Sequence, residues 1–228
     1  MVTEVPSSTQ SNIIYPESDG QPMADNTKQF ELIVLIKKNL DLLFANDPNV
    51  FVAGDLLWYP TKGNNLISRA PDTMVVFDRP KGDRGSYLQW QEGNIPPQVV
   101  FEILSPSNNF KEVITKYKFY ERYGVEEYYI YDPEKGDLSG WLRSGNELTE
   151  IEQMLGWVSP RLDVRFELPD GKLEIYRSDG QKFLTYLELD QQREQERQRA
   201  EQERQRAEQA LSELQALRAL LQERGIDL

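Results

Sequence analysis

Residues Pro96–Ser107, "PPQVVFEILSPS", set Val99, Val100, Phe101, Ile103 and Leu104 in an almost unbroken apolar run behind two prolines. Such a run predicts a strand buried on both faces. Glu102 stands in the middle of it. An unpaired buried carboxylate is costly, so Glu102 calls for a cation, a hydrogen-bond network or a raised pKa. The bland alternative has Glu102 facing solvent on a strand edge.

The flanking segments place this strand. Downstream, "NNFKEVITKYKFYERYGV" carries Val113, Ile114, Tyr117 and Tyr120 at helical spacing and closes on Gly124, a natural helix stop. "EEYYIYDPEKG" follows as another strand closed by a turn. Strand, helix and strand make a right-handed crossover unit, so these two strands are expected as parallel neighbours. Upstream, "NVFVAGDLLWYP" reads as one strand ending before Pro60, and "PDTMVVFD" as a second. Before them, "NTKQFELIVLIKKNLDLLF" places Phe30, Ile33, Val34, Ile36, Leu40, Leu43 and Phe44 at helical spacing, with Asn26 or Thr27 able to cap the helix. Past Lys135, "LSGWLRSGNELTEI" and then "LDVRFELPDGKLEIYRSDG", where Asp-Gly pairs mark turns, read as short strands and hairpins that extend or cover the sheet.

The termini differ in composition. Residues 1–24 are rich in Ser, Thr, Gln and Pro and read as a flexible arm. The heptad "EQERQRA" occurs twice in succession, at 194–200 and 201–207. Ala200, Ala207, Leu214 and Leu221 form one apolar row, and Ala210 and Leu217 supply a second. Arg197/Glu201, Arg199/Glu203 and Arg204/Glu208 are spaced to support the helix, each by ~0.3 kcal/mol. This tail is either a solvated single helix or a coiled coil, and the second reading implies a homodimer or other self-association.

Composition narrows the chemistry. The chain has 228 residues, no Cys and no His. Disulfides, thiol nucleophiles, histidine bases and most zinc sites are thereby excluded. Carboxylate, lysine, tyrosine and hydroxyl chemistry remains, and such oxygen ligands suit Mg²⁺ or Mn²⁺. A net charge of −12 argues against a general nucleic-acid coat but leaves room for one local phosphate site. No stretch approaches a membrane span, and "MVTEVPSSTQSNIIYPESDGQP" lacks the basic start and apolar core of a secretory signal, which predicts a cytoplasmic protein with no membrane partner.

Asp72, right after Pro71, opens one strand, and Glu102 lies in the next. On adjacent antiparallel strands their side chains lie about 5 Å apart on one face, close enough to share a divalent ion at ~2.1 Å. Asp55 is a third acid in strand context, suited to a supporting role. Lys116, early in the helix after the Glu102 strand, is the cation expected to point back at the site, where it orients a metal-bound water and offsets developing charge. Lys111 and Lys118 serve as the solvated comparison.

"APDTMVVF", then "PQVVFEILSPS", then "TKYKFYERYGVEEYYIYDPE" together resemble the Uma2 family (DUF820), abundant in cyanobacteria and assigned to the PD-(D/E)XK restriction-endonuclease-like superfamily. The similarity spans roughly 26–168. It implies an α+β fold with an αβββαβ core on a mixed central sheet, here with extra C-terminal hairpins and a long C-terminal helix. The implied organisation is an arm at 1–24, a nuclease-like domain at 25–186 and a charged heptad helix at 187–228. The implied activity is Mg²⁺-dependent endonucleolytic hydrolysis of DNA, with Asp72 and Glu102 as metal ligands and Lys116 as the third catalytic residue. The E-x-K pattern would require lysine at 104, where this sequence has Leu104; Lys116 matches the family's displaced lysine. The first-helix acid of the superfamily falls on Glu31 or nearby. The alternative is a nuclease fold without catalysis, acting as an interaction or regulatory module through its helical tail.

Overall fold

Asn26 is the N-cap of the first helix, α1 (Thr27–Leu43), its side chain accepting the Gln29 N–H. In the computed structural model, which describes residues 13–223 and all their side chains except those at 220–222, Ile33, Ile36 and Leu40 make the buried stripe of this helix. Phe30, expected on the same stripe, is instead 45% exposed, because the docked face runs through Gln29 and Ile33.

The strands follow as β1 (Val50–Ala53), β2 (Trp58–Tyr59), β3 (Thr73–Phe77), β4 (Tyr87–Leu88) and β5 (Val99–Ile103). The single strand expected over "NVFVAGDLLWYP" is thus two. Asp55 takes a left-handed backbone conformation, φ 50°, which no continuous strand accommodates, and the chain turns away there. α2 (Phe110–Tyr123) has Asn109 as N-cap and stops at Gly124, φ 94°. Then come β6 (Glu127–Asp132), β7 (Asp137–Ser144), β8 (Glu147–Glu150), β9 (Val164–Glu167) and β10 (Glu174–Arg177).

Six strands form one mixed sheet in the order β1-β3-β5-β6-β7-β8. β5 and β6 are parallel, as the intervening helix requires, and the other neighbours are antiparallel. β9 and β10 pair by themselves, as do the short parallel β2 and β4. The central strands are buried on both faces: Val99 to Ile103 are all buried. One face packs Val75, Val99 and Phe101 against α1 and the β9–β10 hairpin; the other packs Met74, Val100 and Tyr128 against α2 and Trp58 of β2. Each such aliphatic or aromatic side chain contributes about 1.5–3 kcal/mol on burial, which holds the two helices against the sheet. The fold is therefore α+β on a mixed central sheet.

Residues 13–24, the described part of the expected arm, run along the domain. The Tyr59 hydroxyl donates to the Pro16 carbonyl, and Tyr15 packs its ring on Tyr59 and Trp90. Residues 1–12 of that arm and 224–228 of the tail lie outside the described residues.

The chain divides into two units, Met1–Phe183 and Leu184–Leu228. The second holds α3 (Tyr186–Glu223). Thr185 and Glu188 form a reciprocal cap at its start. Arg197 pairs back to Glu194 rather than on to Glu201, while Arg204 bridges Glu201 and Glu208. Leu211, Leu214 and Leu217 are exposed along it.

Candidate active site

The antiparallel register of β3 on β5 pairs Thr73 with Phe101, so the next position along sets Asp72 across from Glu102. Both carboxylates share the α2 face of the sheet with Met74 and Val100, since side chains alternate along a strand. Both are buried, Glu102 to 3% exposure and Asp72 to 8%, which overturns the solvent-facing alternative.

Each oxygen of Glu102 has a donor from α2. Lys116 Nζ lies 2.7 Å from Oε2, and the Tyr120 hydroxyl lies 2.5 Å from Oε1. Lys116 and Tyr120 are one helical turn apart on the face that meets the strand. Asp72 Oδ2 accepts the Ile103 backbone N–H at 2.6 Å, tying the end of β3 to β5. Leu104, where the common motif places lysine, borders the same small cavity as Lys116.

Four residues beyond those expected, Gln29, Asp25, Ser105 and Ser107, complete the frame. Gln29 donates to the Ile103 carbonyl at 2.8 Å, and its own carbonyl accepts the Asp25 N–H. The Ser105 and Ser107 hydroxyls both donate to Asp25 Oδ2, docking the "SPS" turn onto the start of α1. Those bonds hold the Asp25 carboxyl below its usual pKa. Glu31, by contrast, is exposed and borders neither cavity at the site. Gln29 was legible in principle, since 29, 33, 36 and 40 form one helical stripe. Asp25 and Tyr120 carried no local signal.

Asp55 lies past the end of β1, its N–H donating to the Pro71 carbonyl next to Asp72. It lines an open cleft of about 720 Å³ with Asp19, Asp25, Arg69, Asp72 and Lys116. A cavity of about 20 Å³ adjoins it, lined by Asp72, Glu102, Lys116 and Tyr128 among others.

The electrostatics follow from burial and like charge. Burial foremost, and then the Glu102 charge, push Asp72 well above the ordinary carboxylate pKa; Lys116 and the Ile103 N–H pull the other way. For Lys116, burial alone would lower the pKa, but Glu102 and Asp72 outweigh it and the net shift is upward. Partial burial, Asp19 and Glu102 raise Asp55, opposed by Lys116. Two crowded carboxylates of this kind are relieved by a divalent cation. Among the described residues no cluster of three or more acidic metal ligands occurs. The donor set nonetheless fits Mg²⁺ or Mn²⁺, which bind through one or two carboxylates and keep several waters.

A family model described as "Uma2: Putative restriction endonuclease" matches residues 9–168. The chain belongs to the Uma2 family. The Uma2 match takes in α1 to β9, including every residue described above at the site. A search of curated proteins gave no match. Among solved structures, one similar chain is a "putative nuclease belonging to DUF820 from Anabaena variabilis ATCC 29413", with 15% identity, a TM-score of 0.44, and coverage of 59% of this Uma2 chain and 72% of that one. No described helix is long and apolar enough to cross a membrane.

Proposed function

We propose that this chain is a Mg²⁺-dependent endonuclease of PD-(D/E)XK type that hydrolyses DNA phosphodiester bonds. The observation that carries the reading is the facing pair Asp72 and Glu102 with Lys116 Nζ 2.7 Å from Glu102. Asp72 and Glu102 would hold Mg²⁺ or Mn²⁺, whose contribution is Lewis-acid stabilisation of the phosphoryl oxygens and a more acidic bound water. Lys116 takes the place that lysine holds in the E-x-K pattern, reaching the same carboxylate from α2. Its ammonium orients the attacking water and offsets negative charge that grows on the phosphorus oxygens. Asp55, at the cleft wall, supports the water shell. The scissile phosphate enters from the 720 Å³ cleft, where Arg69 and Lys111 are the flanking cations. The test is nicking of supercoiled DNA by purified protein with Mg²⁺ or Mn²⁺. Cleavage by the wild type and at least a hundredfold loss in Asp72→Ala is expected, on the order of the effect of losing a central electrostatic group; equal cleavage by both removes the site.

One observation favours a second reading, a nuclease fold that acts as an interaction module. Both Glu102 oxygens already have protein donors, so a cation must displace or share one of them. In that case Mn²⁺ stabilises wild type no more than Asp72→Ala in thermal unfolding. Under either reading, the exposed Leu211, Leu214 and Leu217 suit α3 to pairing with a second copy of itself.

A further inference from the structure

The Tyr128 hydroxyl is fully buried, and among the described residues nothing hydrogen-bonds to it. The other tyrosines buried as deeply are all satisfied: Tyr59 donates to Pro16, Tyr87 to Ile95, Tyr120 to Glu102 and Tyr129 to Glu127. Leaving a buried hydroxyl unpaired costs more than an ordinary hydrogen bond returns. The ring cannot swing to find a partner. It is wedged between Tyr120, with centroids 5.0 Å apart, and Trp141, at 5.4 Å.

Tyr128 sits on β6 opposite Val100, on the Glu102 side of the sheet, and lines the cavity of about 20 Å³ with Asp72, Glu102 and Lys116. That volume suits one water molecule, and the lining offers it the two to four polar partners a buried water needs. We infer that Tyr128 anchors a single buried water beneath the Asp72–Glu102 pair, donating to it while it donates to the carboxylates, and so fixes the orientation in which they receive a divalent cation. Tyr128 is thus a positioning residue, acting through the water and not on substrate. The inference rests on the reading of Asp72 and Glu102 as cation ligands.

Two measurements on the full chain test it. A high-resolution crystal structure of the wild type is expected to show one water within hydrogen-bond reach of the Tyr128 hydroxyl and of Asp72 or Glu102; a dry cavity overturns the inference. Calorimetric titration with Mn²⁺ is expected to show affinity about tenfold or more weaker in Tyr128→Phe, in line with other groups that orient metal ligands. Unchanged Mn²⁺ affinity in that variant overturns the orienting role, since loss of a merely structural hydroxyl would alter the melting temperature alone. A wild type that holds the water yet binds no Mn²⁺ overturns the cation reading, and the orienting role with it.

Discussion

Lys116 and Glu102 form an ion pair at 2.7 Å whose carboxylate side chain is only 4% exposed. Removing one member of such a pair leaves an uncompensated buried charge, at a cost of about 3 kcal/mol or more. Lys116→Met is therefore expected to melt at least about 6 °C below wild type. A shift within about 1 °C would mean that the pair does not hold β5 to α2. Asp72 gives a pH dependence of definite sign. Its folded pKa is raised above the unfolded value, so between the two the folded state carries the extra proton. Stability from this group is present at low pH and is lost as pH rises through the folded pKa. In chelator, Asp72→Asn should thus gain on wild type as pH climbs from the ordinary carboxylate pKa of about 4 toward the raised folded one. Parallel stability curves, measured by denaturant unfolding, would contradict the burial and crowding assigned to Asp72.

Among the elements, α2 carries the two side chains that grip Glu102, and its termini fix where they reach. Gly124 ends it with φ 94°, and a Cβ there would approach Pro96 Cγ to 3.3 Å. Gly124→Ala should cost about 1–2 kcal/mol in denaturant unfolding; no loss would mean that the turn relaxes freely. This helix and β5 were legible in the sequence because each signal is local: apolar spacing, Asn109 before and Gly124 after, and an apolar run flanking Glu102. The break between β1 and β2 was not, because it depends on Asp55 adopting a left-handed conformation that most residues avoid. Gln29 shares the helical stripe of Ile33, Ile36 and Leu40, so its inward direction was legible; that it meets the Ile103 carbonyl follows from how α1 docks on the sheet. Spacing alone makes Tyr120 one more apolar position of α2, and only the fold reveals its hydroxyl on Glu102. The Ser105 and Ser107 bonds to Asp25 join segments far apart in sequence and leave no local mark. For α3, light scattering should give a dimer for the full chain and a monomer for a truncation after Asp190. Equal oligomeric states would show that the helix is not the cause.

At the scale of the whole molecule, a net charge of −12 limits how many phosphates the chain can neutralise. Among the described residues the cleft brings Arg69, Lys111 and Lys116 to bear, and Lys116 is already paired with Glu102. DNA affinity, followed by fluorescence anisotropy in Ca²⁺, should fall with salt with a log–log slope no steeper than about −3. A slope near −6 would require a basic surface outside the cleft. The arrangement of sheet, helices and cleft converges on the facing pair Asp72 and Glu102. Anomalous diffraction from crystals soaked in Mn²⁺ tests that convergence most directly. One strong peak is expected at ~2.1 Å from a carboxylate oxygen of each residue. The absence of a peak there, or a peak coordinated by neither residue, would contradict it.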